Sequence, residues 1–211
     1  MKKDTPFVIT ISRQLGSGGA YVGQKLALAL DIFYADREII SRTAKTLSCM
    51  EENLKNRDEK VSSFWDKYFT ANALGASGEY IMPQTYVPTD YELYEAETEV
   101  IRYIAREKSC VIIGRCGAHI LQGHENLFNI FLHADKDFRK HRMAEMLSLS
   151  DAAANKLITQ SDRERAKYHT AFTKANWLDL SLYDICLDTS RLGLDYCADL
   201  LLNTIQDEMK K

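Results

Sequence analysis

The sequence predicts an α/β protein three layers deep, with helices on both faces of a five-stranded parallel sheet. Three observations lead there. Short apolar runs alternate with longer stretches of helical periodicity, the rhythm of βαβ crossovers. One run, CVIIGR at 110–115, opens on consecutive apolar residues, as in a strand buried on both faces. The first run, FVITISR at 7–13, passes straight into a Gly-rich turn, GSGG at 16–19, and then into a helical pattern.

Each element follows in order. After the turn, Val22, Leu26 and Leu30 recur at helical spacing. IFYAD (32–36) is the second strand, and it leads into a helix through about residue 48. Residues 50–90 break the rhythm with charged ENLKNRDEK, aromatic FWDKYF and two prolines, and read as an inserted, mobile subdomain. Phe64 with Tyr68, and Trp65 with Phe69, are i,i+4 pairs that either pack this insertion or stack on a substrate. The aromatic segment at 60–90 is the expected contact of a homo-oligomer. YELYEAETEVIRYIAREK (91–108) reads as a long helix with Tyr94, Thr98, Ile101 and Ala105 on one stripe. It delivers the chain into CVIIGR. LFNIFLHA (127–134) is strand-like, and helices are expected from Asp135 to about Leu147 and from Asp151 to about Thr173. The strand YDICLD (183–188) and a helix from about Leu194 close the domain.

A chain of 211 residues fits one domain carrying a small insertion. It is 45% hydrophobic and 27% charged, and its 10 glycines and 3 prolines are too few for a disordered chain. No apolar stretch approaches the roughly 20 residues of a membrane helix, and the N-terminus lacks the apolar segment of a secretion signal. The net charge of −3 argues against a nucleic-acid partner. Cys49, Cys110, Cys116, Cys186 and Cys197 form no C-x-x-C pair, so free thiols and a reducing, cytoplasmic setting are expected. Cys116-x-x-His119 has metal-ligand spacing but no second pair, so no resident metal site is expected.

The chemistry concentrates at the turn. A buried strand, a Gly-rich turn and a helix together bind phosphate, because backbone N–H groups converge and the helix N-terminus adds its positive dipole end. Glycines permit the positive φ and the close approach. The same sequence without a ligand is simply a tight strand-to-helix turn. Against the P-loop pattern G-x-x-x-x-G-K-[S/T], Arg13 replaces the first Gly, Gly19 the Lys, and Ala20 the hydroxyl residue. Losing one preorganised charge on a transferring phosphate costs about 2–4 kcal/mol. Another cation must fill that space, and Arg13 at the mouth of the turn is the candidate.

ITISRQLGSGG (9–19), FYADREII (33–40), VIIGRCGAHIL (111–121), DRERAKY (162–168) and YDICLDTSRLG (183–193) together resemble the cytidylate kinase-like family, a branch of the P-loop nucleoside monophosphate kinases. The resemblance implies a P-loop kinase fold with a helical insertion and a lid near 155–175. It implies ATP and Mg²⁺, and a small nucleotide, CMP or dCMP, as acceptor. Gly16, Ser17, Gly18 and Gly19 would cradle the donor phosphates, with Arg139 and Arg142 flanking the nucleotide. Asp36, Arg42 and Arg115 would meet the acceptor, with a surface salt bridge the alternative for Arg42. Arg13, Asp162, Arg163 and Arg165 would serve the transfer, the last three from the lid motif D-x-x-R-x-x-Y. Cys116 stands where the family carries an Asp, and Ala20 where it carries a basic residue.

The resulting expectation is transfer of the ATP γ-phosphoryl group to a nucleoside monophosphate. A nucleotide-binding regulator with lost or residual catalysis is one alternative, favoured by Gly19 and Ala20. A kinase for another small metabolite is the other.

Overall fold

A computed structural model of the protein describes residues 6–54 and 89–210. The expected insertion at 50–90, its aromatic pairs and the expected oligomer contact lie largely or wholly outside these residues. Five strands are present: β1 (Val8–Arg13), β2 (Phe33–Ala35), β3 (Cys110–Ile113), β4 (Leu127–His133) and β5 (Ile185–Asp188). All pair in parallel, in the order β2-β3-β1-β4-β5.

Helices cover both faces. On one, α1 (Gly19–Leu30) and the last helix pack Val22, Leu26 and Leu201 against Ile9, Ile11, Ile113 and Leu132. On the other, α2 (Arg37–Leu54), α3 (Asp90–Glu107) and the short α4 (Gly117–Ile120) pack Ile40, Val100, Ile104 and Ile120 against Val8 and Ile112. The chain then runs through α5 (Lys136–Leu147), α6 (Asp151–Thr173), β5, a short α7 (Thr189–Leu192) and α8 (Leu194–Lys210).

The long helices start where their sequences satisfy the first free N–H groups. Thr89 and Glu92 make a reciprocal capping box on α3, Ser150 accepts from Ala153 N–H at the start of α6, and Asp36 caps α2. Two expectations need correction. α2 continues to Leu54 rather than ending near residue 48. On α3 the fully buried stripe is Glu97, Val100, Ile101 and Ile104 with Ala96 and Ala105, while Tyr94 and Thr98 are only half-buried. The stripe is rotated because a charged residue, Glu97, takes an inward position. Cys110, Cys116, Cys186 and Cys197 are free, all but Cys186 are buried, and burial lifts the Cys110 and Cys116 thiols to about 12.

Topology fixes where a ligand can sit. β1 is followed by α1 on one face, and its neighbour β3 by α4 on the other, so a crevice opens beyond the carboxyl ends of these two strands. Ile11 pairs with Ile113, which sets Arg13 and Arg115 level with each other at the crevice.

Candidate functional site

The loop after β1 is bent by two left-handed glycines, Gly16 at φ 86° and Gly18 at φ 81°. No side chain caps α1, so its first amides and dipole face the loop without an internal anion on them. Ser17 is fully buried, and its hydroxyl donates to Gln14 O at 2.9 Å and Leu132 O at 3.0 Å. That hydroxyl is spent on the backbone, so only main-chain atoms of Ser17 could face a ligand.

The glycines are demanded by packing. A Cβ at Gly16 would lie 2.9 Å from the Arg139 carbonyl oxygen, and one at Gly18 would collide with the Leu194 side chain. Gly123, at φ 91°, has nothing within 4 Å of where a Cβ would stand and serves as a control. Both Gly16→Ala and Gly123→Ala carry about 1–2 kcal/mol for the left-handed backbone. Gly16→Ala adds about 1–3 kcal/mol of overpacking against main chain. In urea, Gly16→Ala should therefore unfold at clearly lower concentration than Gly123→Ala. Equal midpoints would mean that the loop relaxes freely.

Arg13 organises the centre. Its stem crosses Gly19, where a Cβ would meet Arg13 Cγ at 2.6 Å, and its Nη1 lies hard against Gly114, filling the place a Cβ would take there. The Arg13 side chain thus occupies the space a residue at position 19 would need to leave the helix. Its carbonyl accepts from Arg165 Nη1 at 2.8 Å. Burial first, and the charge of Arg165 second, press the Arg13 pKa down to about 9, so it is still a cation at neutral pH. Burial lowers Arg165 as well.

Arg115 sits in a turn of three successive left-handed residues, Gly114 (φ 73°), Arg115 (φ 51°) and Cys116 (φ 57°). Two of these carry side chains, which stores strain of order 1 kcal/mol or more each. Arg115 Nη1 is 3.2 Å from Glu97 Oε2, and Nη2 donates to Ser41 Oγ at 2.8 Å. Its guanidinium stacks on Tyr168, 5.1 Å from the ring centroid. Tyr168 O–H donates to Glu97 Oε2 at 2.8 Å, and burial first, then the Glu97 charge, raises its pKa. Tyr94 stacks on Phe172 at 4.2 Å and meets Tyr168 edge-on, so α6 is fastened to α3 by rings as well.

These groups border one cleft with two lobes. The smaller, of about 180 Å³, lies under α6 against Arg165, Tyr168, His169 and Trp177. The larger, of about 570 Å³, lies against α2 with Asp36, Ser41 and Arg42 on its wall. Arg13, Arg37 and Arg115 border both lobes.

The residues singled out from sequence are sorted by this geometry. Arg13, Arg115 and Arg165 converge. Asp36 borders the larger lobe while its carboxylate accepts from Glu38 and Ile39 N–H. Arg42 is exposed on the same wall. Asp162 and Arg139 are paired with each other at 2.5 Å, and Asp162 also accepts from Leu15 N–H at 3.1 Å. Arg139, buried, donates to Ala134 O and Leu15 O. That pair braces the loop to α5 and α6, and Arg139 has little charge left for a nucleotide. Arg142 is half-buried one turn further along α5. Arg163 is exposed and borders neither lobe.

Sequence reasoning missed Arg37 and Glu97. Arg37 directly follows Asp36 and borders both lobes. Glu97, 1% exposed, is one of several acids on α3, and the only signal in its favour is a spacing of three and four residues before Val100 and Ile101.

Comparison with known proteins agrees with the architecture. Over 95% of this chain and 98% of the other, a crystal structure of an uncharacterized protein from Eubacterium ventriosum superposes with a TM-score of 0.71 at 24% identity. A shikimate kinase from Acinetobacter baumannii in complex with shikimate gives 0.51 at 13% identity, over 99% and 97% of the two chains. A gluconokinase from Sinorhizobium meliloti gives 0.51 at 14%, over 96% and 93%. At such identities these likenesses speak for the P-loop kinase fold alone. No curated protein matches the chain. The sequence pattern of the cytidylate kinase-like family matches residues 8–191, and with the sheet order, the loop after β1 and the motifs in place, the chain belongs to the cytidylate kinase-like family.

Proposed function

We propose that the chain is an ATP-dependent phosphotransferase of the nucleoside monophosphate kinase type, with CMP or dCMP the acceptor that the family suggests. One observation carries the reading. Arg13, Arg37, Arg115 and Arg165 crowd one cleft, and among the described residues only Arg115 has a carboxylate at ion-pair distance. Asp36, Glu38 and Glu164 also line the lobes but make no ion pair with these guanidiniums, and cations held together in this way suit an anion.

The work of such a site is positioning and charge neutralisation. An acceptor phosphate oxygen would attack the γ-phosphorus in line while the bond to the β–γ bridging oxygen breaks and ADP leaves. The uncapped start of α1 and the loop from Gly16 to Gly19 would hold donor phosphates. Arg13 would neutralise the moving phosphoryl group, Arg165 would cover it from α6, and Arg115, Arg37 and Arg42 would face the acceptor. Asp162 and Arg139 would keep the loop and α6 in register.

The donor set does not fit a protein-held Mg²⁺. Ala20 has no hydroxyl, Cys116 is a buried thiol rather than an acid, and Asp162 is committed to Arg139 and Leu15. Among the described residues no three His, Cys, Asp or Glu cluster as ligands. The same departures favour the second reading, a nucleotide-binding regulator without turnover.

A coupled assay of ADP release with Mg-ATP, over a panel of nucleoside monophosphates and small metabolites, separates the two. Acceptor-dependent ADP release, fastest with CMP or dCMP, is expected. ATP binding without release on any acceptor would leave the regulator, and no ATP binding would remove both.

A further inference from the structure

Glu97 lies behind the cleft wall, against three residues that line it, and phosphotransfer does not use it. It projects from an otherwise apolar stripe of α3 and is 1% exposed. Three donors from three other segments converge on it. Ser41 Oγ of α2 donates to Oε1 at 2.7 Å, Tyr168 O–H of α6 donates to Oε2 at 2.8 Å, and Arg115 Nη1 lies 3.2 Å from Oε2. A buried ion pair is weak evidence for stability, since an apolar residue that continued the stripe would serve as well or better. Its position directly behind Arg115, a cation that borders both lobes of the cleft, is what needs an explanation.

We propose that Glu97 is the cleft's built-in counter-ion, competing with a bound phosphate for Arg115 and so limiting how tightly the cleft holds its phosphorylated ligands. The ligand's identity rests on the phosphotransfer reading. The competition rests on geometry alone. Transfer leaves the acceptor more negative than it arrived and the donor less so, and the arginines that face the acceptor, Arg115 among them, therefore hold its product more tightly than its substrate. A fixed carboxylate beside Arg115 weakens both, and weakens the more highly charged ligand more, because Coulomb energy is linear in ligand charge. Exchange is feasible on both sides. Glu97 keeps the Ser41 and Tyr168 hydroxyls when Arg115 turns away. Arg115 is not saturated where it is, since its Nε is buried with no hydrogen-bond partner.

Glu97→Gln isolates the charge. An amide fits the same donors once the Ser41 hydroxyl rotates to accept from it, while its oxygen still accepts from Tyr168 and Arg115. The probes are inorganic sulfate and nitrate, titrated calorimetrically into the full-length protein, with melting temperatures recorded alongside. A unit charge a few ångströms from a dianion changes its affinity about tenfold even at the dielectric of water. Glu97→Gln should bind sulfate about tenfold more tightly than the parent, and nitrate only about threefold more tightly. In Glu97→Gln/Arg115→Met, where neither charge is left buried alone, the gain should vanish. Sulfate affinity unchanged or weakened in Glu97→Gln, with or without a fall in melting temperature, overturns the proposal and leaves Glu97 a structural group. So does a gain that survives loss of Arg115, or a parent that binds no sulfate. An absence of turnover on every nucleoside monophosphate would sink the kinase reading and leave the sulfate result standing.

Discussion

Arg13→Gly should lower phosphoryl transfer about 10²–10³-fold, the cost of one preorganised charge on a developing transition state, while leaving the fold intact. Adding Gly19→Lys to that variant should return part of the loss, because together the two changes recreate the Gly and Lys of the ordinary phosphate loop. Gly19→Lys in the parent should not help. The Cβ it introduces would lie 2.6 Å from Arg13 Cγ, so the two side chains cannot both occupy the mouth of the loop. The arginine of this chain and the lysine of the ordinary phosphate loop are alternatives in space, and the glycine at 19 is the consequence of choosing the arginine. Single-turnover rates and ATP affinity for the parent and the three variants decide it. Parent-like turnover in Arg13→Gly, or no recovery in Arg13→Gly/Gly19→Lys, would mean that Arg13 packs the loop and does not serve the phosphate.

The sheet was legible because its strands are largely apolar runs. CVII at β3 is apolar throughout, and VITIS at β1 is buried along its length although Thr10 and Ser12 interrupt its apolar residues. The loop was legible because glycine is costly to misplace. Arg13, Arg115 and Arg165 stood out because each is a cation at the edge of an apolar run or inside a recurring motif. What stayed hidden is pairwise. Asp162 reads as a motif acid, and only the fold shows that its partner is Arg139, 23 residues earlier. Glu97 reads as one acid among several on a charged helix. The stripe expected through Tyr94 and Thr98 is rotated so that Glu97 faces inward, where Ser41, Arg115 and Tyr168 meet its carboxylate. Propensity cannot weigh a contact between helix α3 and a turn reached only through tertiary packing. Arg37 was passed over for a simpler reason: the neighbouring Asp36 caps α2, and its side chain drew the reading to itself.

Arg115→Met should destabilise the protein by about 3–5 kcal/mol, since it strands the Glu97 carboxylate, which is 1% exposed. Ser41 and Tyr168 remain as donors and keep the loss near the low end of that range. A large stability loss in the single variant therefore says nothing about acceptor binding, because pairing and recognition are both removed at once. Glu97→Gln/Arg115→Met separates them. With no charge left unpaired, its urea midpoint should return most of the way to the parent's, the amide keeping both hydroxyl contacts. If Arg115 also holds the acceptor phosphate, this restabilised double variant should still fail to bind CMP or dCMP while binding ATP nearly as the parent does. A double variant that is stable and binds acceptor normally would reduce Arg115 to the partner of Glu97, and the acceptor would then have to be held by Arg37 and Arg42 of α2.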